Sequence, residues 1–335
     1  NSSTKRNEEN SVWDMMQGGS MTMNYDLNEK INEYISFLDL KEISKESYRK
    51  LLFQYKSYLD ANNITNPNRN VILGYKEYLI KKKLSSATIQ KMLVVLRGFY
   101  RYLKLNGIDE DITYAVKGVK VATTYKRQPL TETDIIKVIN NARKKATDQI
   151  GKRNLAIIVL LFTTGLRAIE VERADIEDID IVGDGYVLYI QGKGRDDKDN
   201  FVKLPQEVYE ILLLYLETRD TSNLLEKNNP LFTTFLRNGT EIRMKTAVIR
   251  TMIKDAFRSI GLDSRAFSAH STRHSFATLS LIEGASILEV KESLRHSSIT
   301  STQIYSHLVE KMKSDTNELV SKAILKTKKE GKNEK

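Results

Sequence analysis

Hydrophobic residues recur at helical spacing along the first third of the chain. Apolar positions three or four residues apart predict four short helices between residues 27 and 107. The second of these helices is predicted to begin at a cap on Ser44. The fourth has the most regular pattern, starting after Ser85 and ending at Asn106–Gly107. The pattern therefore indicates a helical domain over residues 26–107.

The larger second region mixes helical and strand patterns. The uninterrupted apolar run Leu155–Phe162 ends shortly before Gly165, which predicts a buried helix. Residues 176–204 alternate with a period of two and contain two glycine-rich turns, which predicts a three-stranded antiparallel meander. Helical patterns resume after Pro205 and continue to an amphipathic terminal helix at residues 309–325. The fold class expected is mainly α with a small antiparallel β-meander.

Four further segments complete the predicted organisation. Residues 1–25 are polar and lack periodicity, which indicates a flexible leader. Residues 108–130 lose periodicity and are basic, which favours an extended linker. The mixed domain spans residues 131–325, and residues 326–335 form a lysine-rich tail. We therefore expect two domains joined by a basic linker.

Composition excludes several classes of protein. The 335-residue chain is 40% apolar and 29% charged, so it can bury a sizeable core. It has no cysteine, which excludes a disulfide scaffold, a thiol nucleophile and a cysteine-ligated metal. Its longest apolar run falls well short of the roughly 20 residues that a membrane-spanning helix needs. With no recognisable secretory signal, the sequence predicts a cytoplasmic protein that does not contact membranes.

The positive charge is concentrated in two places. Of a formal net charge of +10, residues 24–128 carry 19 basic against 11 acidic residues. The tail from Lys322 to Lys335 carries six lysines against two glutamates. Such a surface attracts the phosphates of nucleic acid, although charge alone is equally compatible with a solvated basic face.

The residues that could carry chemistry are cationic. All four histidines lie between His270 and His307, but no zinc-ligand spacing accompanies them, so a phosphate site is favoured over a metal site. Arg273 follows His270 by about one helical turn, so both can project to one face. Arginine binds phosphate oxygens through a planar fork. Arg167 follows a glycine break, and Lys193 lies in a glycine-flanked turn from which a cation can reach outward.

Four motifs together carry a family resemblance. They are Thr164-Gly-Leu-Arg-Ala-Ile-Glu170, Gln191-Gly-Lys-Gly194, His270-Ser-Thr-Arg-His-Ser-Phe-Ala-Thr278 and Leu294-Arg-His-Ser-Ser-Ile-Thr-Ser-Thr-Gln-Ile-Tyr-Ser-His307. In chain order and spacing they resemble the tyrosine recombinase (integrase) family. The helical first domain resembles the core-binding domain of that family, so the resemblance covers about residues 27–320. It implies a two-domain DNA clamp in which residues 131–325 are the catalytic domain.

The resemblance assigns the nucleophile and its electrostatic partners. Tyr305 would attack a DNA phosphodiester, leaving a 3′-phosphotyrosine and a free 5′-hydroxyl. Arg167 and Arg273 would neutralise the charge that develops on the non-bridging oxygens. Glu170, one turn after Arg167, is expected to orient other groups rather than react.

The remaining catalytic roles fall to three residues. Lys193 is the candidate acid for the leaving 5′-oxygen, His270 would assist as the base for tyrosine, and His296 would bind a phosphate oxygen. His274 and His307 are assigned to structure. The sequence departs from the family pattern at Arg295, where glycine is usual, and at Thr272, where leucine is usual.

The resemblance also implies partners. These are double-stranded DNA recombination sites, a homotetramer on DNA in which the C-terminal helix is exchanged between protomers, and accessory DNA-bending or directionality proteins. The covalent intermediate retains the bond energy of the phosphodiester, so no cofactor and no metal is expected. The alternatives left open are a type IB topoisomerase, a telomere-resolving enzyme, or a DNA-binding regulator without activity.

Overall fold

The computed structural model describes most of the chain and divides it into two compact units, Asn1–Thr124 and Tyr125–Lys335. The described residues are 23, 25–120, 128–192, 196–219, 229–296, 302, 303, 305, 320, 321 and 324. Most of the predicted leader, most of the predicted terminal helix at 309–325, and the tail at 326–335 lie outside the described residues. None of the described helices is long and apolar enough to cross a membrane.

The first unit contains the four predicted helices. They are α1 (Leu27–Phe37), α2 (Glu42–Ala61), α3 (Arg69–Lys81) and α4 (Ser86–Leu105). The start predicted for α2 at Ser44 is wrong, because the helix begins at Glu42 after Lys41 without a side-chain cap. The carboxylate of Glu42 lies in the first turn, where it interacts favourably with the helix dipole.

Helix α4 supplies much of the core of the first unit. It buries eight side chains, among them Phe99, Tyr100 and Leu103. The hydroxyl groups of Tyr55 and Tyr100 lie 3.1 Å apart, and burial raises the pKa of both phenols. These tyrosines are therefore neutral packing residues, as expected for amphipathic aromatic side chains in a core.

Part of the segment predicted as a linker packs on the first unit. Val116 is buried, and its carbonyl accepts a hydrogen bond of 2.7 Å from Nη2 of Arg97. Residues 121–127 lie outside the described residues. Further along, the backbone N–H of Leu130 donates to Oγ of Ser275 in the second unit, at 2.8 Å.

The second unit is built around one buried helix. Its helices are α5 (Glu132–Lys144), α6 (Gln149–Thr164), α7 (Ala168–Arg173), α8 (Gln206–Leu216), α9 (Thr246–Arg258), α10 (Ala269–Ile282) and α11 (Ile287–Leu294). Helix α6 packs against α5, α8 and α10, and every residue from Leu155 to Phe162 is buried. It begins where the side chain of Asp148 accepts from the N–H of Gly151, and it ends at Gly165, whose φ of +62° is left-handed.

The predicted β-meander is confirmed. Strands β1 (Ile179–Val182), β2 (Gly185–Ile190) and β3 (Asn200–Leu204) form an antiparallel sheet in the order β1-β2-β3. Leu188 faces Val202 across the β2–β3 pair, and both side chains are buried against the core. Alternation along the strands therefore places one face of the sheet on the core.

A second hairpin corrects the prediction of uninterrupted helices after Pro205. Strands β4 (Thr233–Phe235) and β5 (Glu241–Arg243) pair antiparallel. Each strand has three residues, which is too short for a period of two to be recognised in a sequence. The buried carboxylate of Glu241 accepts from Oγ1 of Thr233 at 2.9 Å and fixes the pair.

Candidate active site

Arg273 lies at the meeting point of three helices. It belongs to α10 and is 1% exposed. Its Nη1 donates to the carbonyl of Gly165 at 2.6 Å, and its Nη2 donates to the carbonyl of Leu294. These carbonyls belong to the ends of α6 and α11, where helices leave acceptors without internal partners and where a cation is favoured. The fold therefore holds this guanidinium in one orientation.

The start of α10 positions the motif that contains Arg273. Ser268 is the N-cap: its Oγ accepts from the N–H of His270 at 3.3 Å. Ser271 closes a capping box, since its Oγ accepts from the N–H of Ser268 at 3.1 Å. The cap fixes the first turn, and the following turns then carry Arg273 and His274 into the interior, where both are buried.

Arg167 and Arg295 share one buried carboxylate. Glu170 has no exposed surface, and its Oε1 accepts from Nη1 of Arg167 at 2.8 Å. Its Oε2 accepts from the backbone N–H of Arg167 at 2.8 Å and from Nη2 of Arg295 at 3.0 Å. The expected orienting role of Glu170 thus has a geometric basis. The carboxylate also influences the pKa of Arg273, so three guanidinium groups surround one negative charge and positive charge is in excess.

Arg295 adopts a backbone conformation that usually requires glycine. It is the C-cap of α11, with φ 55° and ψ 44°. The left-handed region costs a non-glycine residue about 1–2 kcal/mol. Its side chain turns back, so that Nη1 donates to the carbonyl of Ser293 at 2.6 Å while Nη2 reaches Glu170. The buried ion pair therefore offsets the strain of placing a residue other than glycine at this position.

Burial and neighbouring charges shift the pKa values of this cluster. Burial, followed by the charge of Arg167, lowers the pKa of Arg273 to about 9, so the group stays protonated at neutral pH. Burial, followed by the charges of Arg273 and Arg167, lowers the pKa of His296 to about 4. His296 is therefore neutral at pH 7, and its Nδ1 lies 2.9 Å from Oγ1 of Thr302.

Tyr305 is buried against a histidine. Its Oη lies 2.6 Å from Nδ1 of His274, and the two side chains are 3% and 2% exposed. The ring packs in a small apolar cluster with Ala277 and Val290. The phenol is close enough to Arg273 to influence the pKa of that guanidinium. The predicted nucleophile therefore lies beside the arginine predicted to bind the scissile phosphate.

Five of the six predicted catalytic residues converge. Arg167, His270 and Arg273 all contribute to the pKa shift of His296, and Tyr305 contributes to that of Arg273. His270 is exposed, and its ring lies 4.6 Å from that of His274 between centroids, edge to face. The sixth predicted residue, Lys193, lies outside the described residues, as does His307.

Side-chain contacts hold the described chain on both sides of the turn that contains Lys193. Before the turn, Nη1 of Arg173 donates to the carbonyl of Gly192 at 3.1 Å. After it, Nζ of Lys198 lies 2.7 Å from Oδ2 of Asp175 and 2.6 Å from Oδ2 of Asp178. This buried carboxylate pair fixes the chain just before β3.

Two residues of the site have contacts that the sequence analysis missed. His274 was assigned to structure, yet it contacts the phenol of Tyr305. The spacing of the histidines could have indicated this contact, because His270 and His274 are four residues apart and share a helix face. Arg295 was noted only as a departure from glycine, and no pattern in the sequence indicates its pairing with Glu170. Among the described residues, no group of three metal-ligating side chains comes together.

Comparisons with known proteins agree over both units. The profile described as "Phage integrase family" matches residues 128–312, and the profile described as "Phage integrase, N-terminal SAM-like domain" matches residues 31–107. The chain is 28% identical over 294 residues to the tyrosine recombinase XerD of Staphylococcus epidermidis, covering 84% of this chain and 95% of XerD. It is 31% identical over 231 residues to the tyrosine recombinase XerC of Lactobacillus delbrueckii subsp. bulgaricus, covering 68% of this chain and 74% of XerC.

A solved structure has the same fold. It is the post-cleavage complex of the XerH site-specific recombinase bound to palindromic difH substrate, with a TM-score of 0.71 and 19% identity. The similarity covers 88% of this chain and 95% of XerH. Since the catalytic-domain profile alone matches more than half of the chain, and the XerC relative exceeds 30% identity, this chain belongs to the phage integrase family and is a tyrosine-type site-specific recombinase.

Proposed function

We propose that this recombinase cleaves and rejoins DNA through a 3′-phosphotyrosine intermediate, and so integrates, excises or resolves a mobile element or replicon. The observation that carries the proposal is the position of the Tyr305 phenol beside the guanidinium cluster of Arg167 and Arg273. A phosphodiester is the substrate that fits an excess of fixed cations next to a nucleophilic oxygen.

The reaction is a balanced phosphoryl transfer. Oη of Tyr305 forms a bond to phosphorus while the bond from phosphorus to the 5′-oxygen breaks. Arg167 and Arg273 stabilise the charge on the non-bridging oxygens, and His296, neutral at pH 7, donates a hydrogen bond to one of them from Nε2. His270 assists as the base that removes the proton of the phenol, and Lys193 gives the leaving 5′-oxygen its proton. Arg167 and Arg273 are already held by hydrogen bonds within the protein, so little reorganisation of these two groups accompanies the reaction.

The second half of recombination reverses these bonds. A 5′-hydroxyl from a partner strand gives its proton back to Lys193 as it attacks the phosphotyrosine, and Tyr305 regains its proton from the base and leaves as the phenol. The number of phosphodiester bonds is unchanged, so the exchange requires no external energy source. The six proposed catalytic groups are all side chains of this chain, so the reaction can proceed without a metal or a cofactor.

We further propose how the chain engages DNA. Residues 26–107 act as the core-binding domain, residues 131–325 as the catalytic domain, and residues 108–130 as the linker that passes along the duplex. Many lysines and arginines of the first unit are exposed, including the consecutive Lys81, Lys82 and Lys83 at the end of α3. Exposed cations of this kind supply binding to phosphates irrespective of sequence.

The proposed assembly is a homotetramer on two DNA sites. Each protomer would donate its terminal helix at 309–325 to a neighbour, since a head-to-tail contact of this type closes into a ring. Accessory DNA-bending or directionality proteins would select between integration and excision. A DNA substrate favours the cytoplasm as the site of action.

A covalent-trapping experiment tests the proposed activity. A binding selection from randomised duplex DNA first yields the recognised site, and a nick placed just beyond the cleavage position then lets the 5′-hydroxyl fragment escape. The full chain should accumulate a protein–DNA adduct, and Tyr305→Phe should form none while binding the site with unchanged affinity. If the unaltered chain binds the selected site and forms no adduct, the recombinase reaction is excluded and a DNA-binding regulator is supported.

Two further measurements separate the related activities. Two duplexes that carry the selected site should exchange strands, whereas relaxation of supercoiled DNA without exchange would support a topoisomerase. The relatives described above are named recombinases, which favours exchange. The affinity should also fall by orders of magnitude between low and physiological salt, because each neutralised phosphate releases counterions.

A further inference from the structure

The acceptor of the phenolic proton can be identified from the contacts of Tyr305. Oη of Tyr305 and Nδ1 of His274 are 2.6 Å apart, within the range in which a base removes a proton directly. Both groups are almost completely buried, so the contact is shielded from bulk water. We propose that His274, rather than His270, is the immediate general base for the nucleophile. The inference rests on the recombinase reaction proposed above and adds a catalytic residue to it.

The position of His274 is fixed by the same helix that holds the phosphate-binding arginine. His274 follows Arg273 directly in α10, and Arg273 is hydrogen-bonded to the ends of two other helices. The contacts that hold the guanidinium therefore also fix the backbone position from which the imidazole projects. By contrast, His270 lies one turn nearer the helix start and is exposed, with its ring against that of His274. The direct contact with the phenol is therefore made by His274, and His270 can assist through its ring contact with His274.

The proton transfer is balanced in both directions. The proposed transfer requires the tautomer of His274 with its proton on Nε2, so that Nδ1 accepts the proton of Oη as the bond from Oη to phosphorus forms. The leaving 5′-oxygen takes its proton from a separate acid, which is Lys193 in the proposed mechanism. When a 5′-hydroxyl attacks the phosphotyrosine, its proton passes back to Lys193, and Nδ1 returns its own proton to the departing phenol oxygen. No oxidant, reductant or other co-reactant is needed.

Asparagine substitutions provide a matched test of the two histidines. The side-chain amide of asparagine reaches about the position of Nδ1 and can accept a hydrogen bond, but it cannot take up a proton at neutral pH. Adduct formation on the nicked selected site is measured in a single turnover with saturating protein. At pH 7, His274→Asn should slow the reaction by about 10²- to 10⁴-fold, the usual contribution of a positioned base. His270→Asn should retain the dependence on pH of the unaltered chain.

The pH profile gives a readout that a purely structural role would not change. Without a base, the phenol must ionise before it attacks, and its ordinary pKa is about 10. The rate of His274→Asn should therefore rise about tenfold per pH unit between pH 7 and 9. Adding imidazole to His274→Ala should restore part of the rate, because the truncated side chain leaves space for the free base. Unfolding temperature and DNA affinity are measured for each variant to confirm that it is folded.

A sulfur-substituted DNA identifies which side of the reaction His274 serves. When sulfur replaces the bridging 5′-oxygen, the leaving group departs without a proton. Lys193→Ala should recover on this DNA, whereas His274→Asn should remain slow. Recovery of His274→Asn would place the histidine on the leaving-group side and overturn the inference. A folded His274→Asn with the unaltered rate and pH profile would overturn it as well.

The outcomes for the two proposals are distinct. If the unaltered chain forms no adduct, the recombinase reaction itself is excluded. If the unaltered chain forms the adduct and His270→Asn alone shows the loss and the steep pH dependence, only the assignment of His274 is wrong.

Discussion

Nη2 of Arg295 lies 3.0 Å from Oε2 of Glu170, although the two residues are 125 positions apart in the chain. The carboxylate has no exposed surface, and the guanidinium is largely buried. The same carboxylate holds Arg167, a predicted catalytic residue. The pair therefore connects the C-cap of α11 to the first turn of α7, and the carboxylate that it fixes limits the movement of Arg167.

Two substitutions of Arg295 should distinguish the stability that the ion pair contributes from the stability that the backbone strain costs. Arg295→Ala removes the pair and keeps the left-handed strain, whereas Arg295→Gly removes both. Loss of one partner of a buried pair costs about 3–5 kcal/mol, and relief of the strain returns about 1 kcal/mol. We expect both variants to be destabilised, with glycine the milder by about 1 kcal/mol. Denaturant unfolding measures the difference, and an alanine variant as stable as the unaltered chain would show that the pair contributes nothing.

Gly165 should tolerate alanine less well than Gly183. The two glycines have nearly equal φ values, +62° and +61°. A Cβ on Gly165 would lie 2.7 Å from Cδ1 of Phe276 and 2.8 Å from Cδ2 of Leu294, whereas a Cβ on Gly183 meets no atom within 4 Å. Gly183→Ala should cost only the left-handed strain of about 1–2 kcal/mol, and Gly165→Ala a further 1–3 kcal/mol from overpacking. Equal losses in unfolding free energy would contradict the predicted crowding around Gly165.

Arg273→Ala should abolish most of the cleavage activity. Removal of one preorganised cation from a phosphoryl-transfer site costs roughly 10²–10³ in rate. The unfolding temperature should also fall, because the carbonyl groups of Gly165 and Leu294 lose their donor.

Arg258→Ala is the matched control: this arginine on α9 is half exposed and pairs with Asp255 and Asp263 at the surface. It should leave the stability nearly unchanged and the adduct rate unchanged, because exposed ion pairs contribute little.

The low pKa of His296 predicts a loss of stability in mild acid. Its pKa is about 4 in the folded chain and about 6.5 in an unfolded one. Between these values the unfolded chain binds more protons, so the free energy of unfolding should fall as pH drops from about 6.5 to 4. His296→Gln cannot titrate, and its stability should fall less over this interval. A bound DNA phosphate should raise the pKa of His296 and reduce the loss. Parallel stability curves for the two proteins would contradict this assignment.

Local patterns in the sequence determined most of the elements. The four helices of the first unit, the buried helix ending at Gly165 and the meander of residues 179–204 follow from periodicity, caps and glycine breaks. These signals act between neighbours, so they can be recognised without knowing the fold. The hairpin of β4 and β5 escaped prediction because its three-residue strands are held by Glu241 and by the core rather than by their own pattern. The start of α2 escaped because Lys41 provides no capping side chain.

The sequence by itself also supplied the chemical groups of the site, since the motifs around Arg167, Arg273 and Tyr305 can be recognised in their order. Only the tertiary structure decided how those groups are held. It brings the ends of α6 and α11 to Arg273, places Glu170 between two arginines, and sets His274 against the phenol. The physical reason is that burial and close packing select one arrangement for these polar groups. Each must then find its partner in an element that is distant in the chain, and no local pattern specifies that partner.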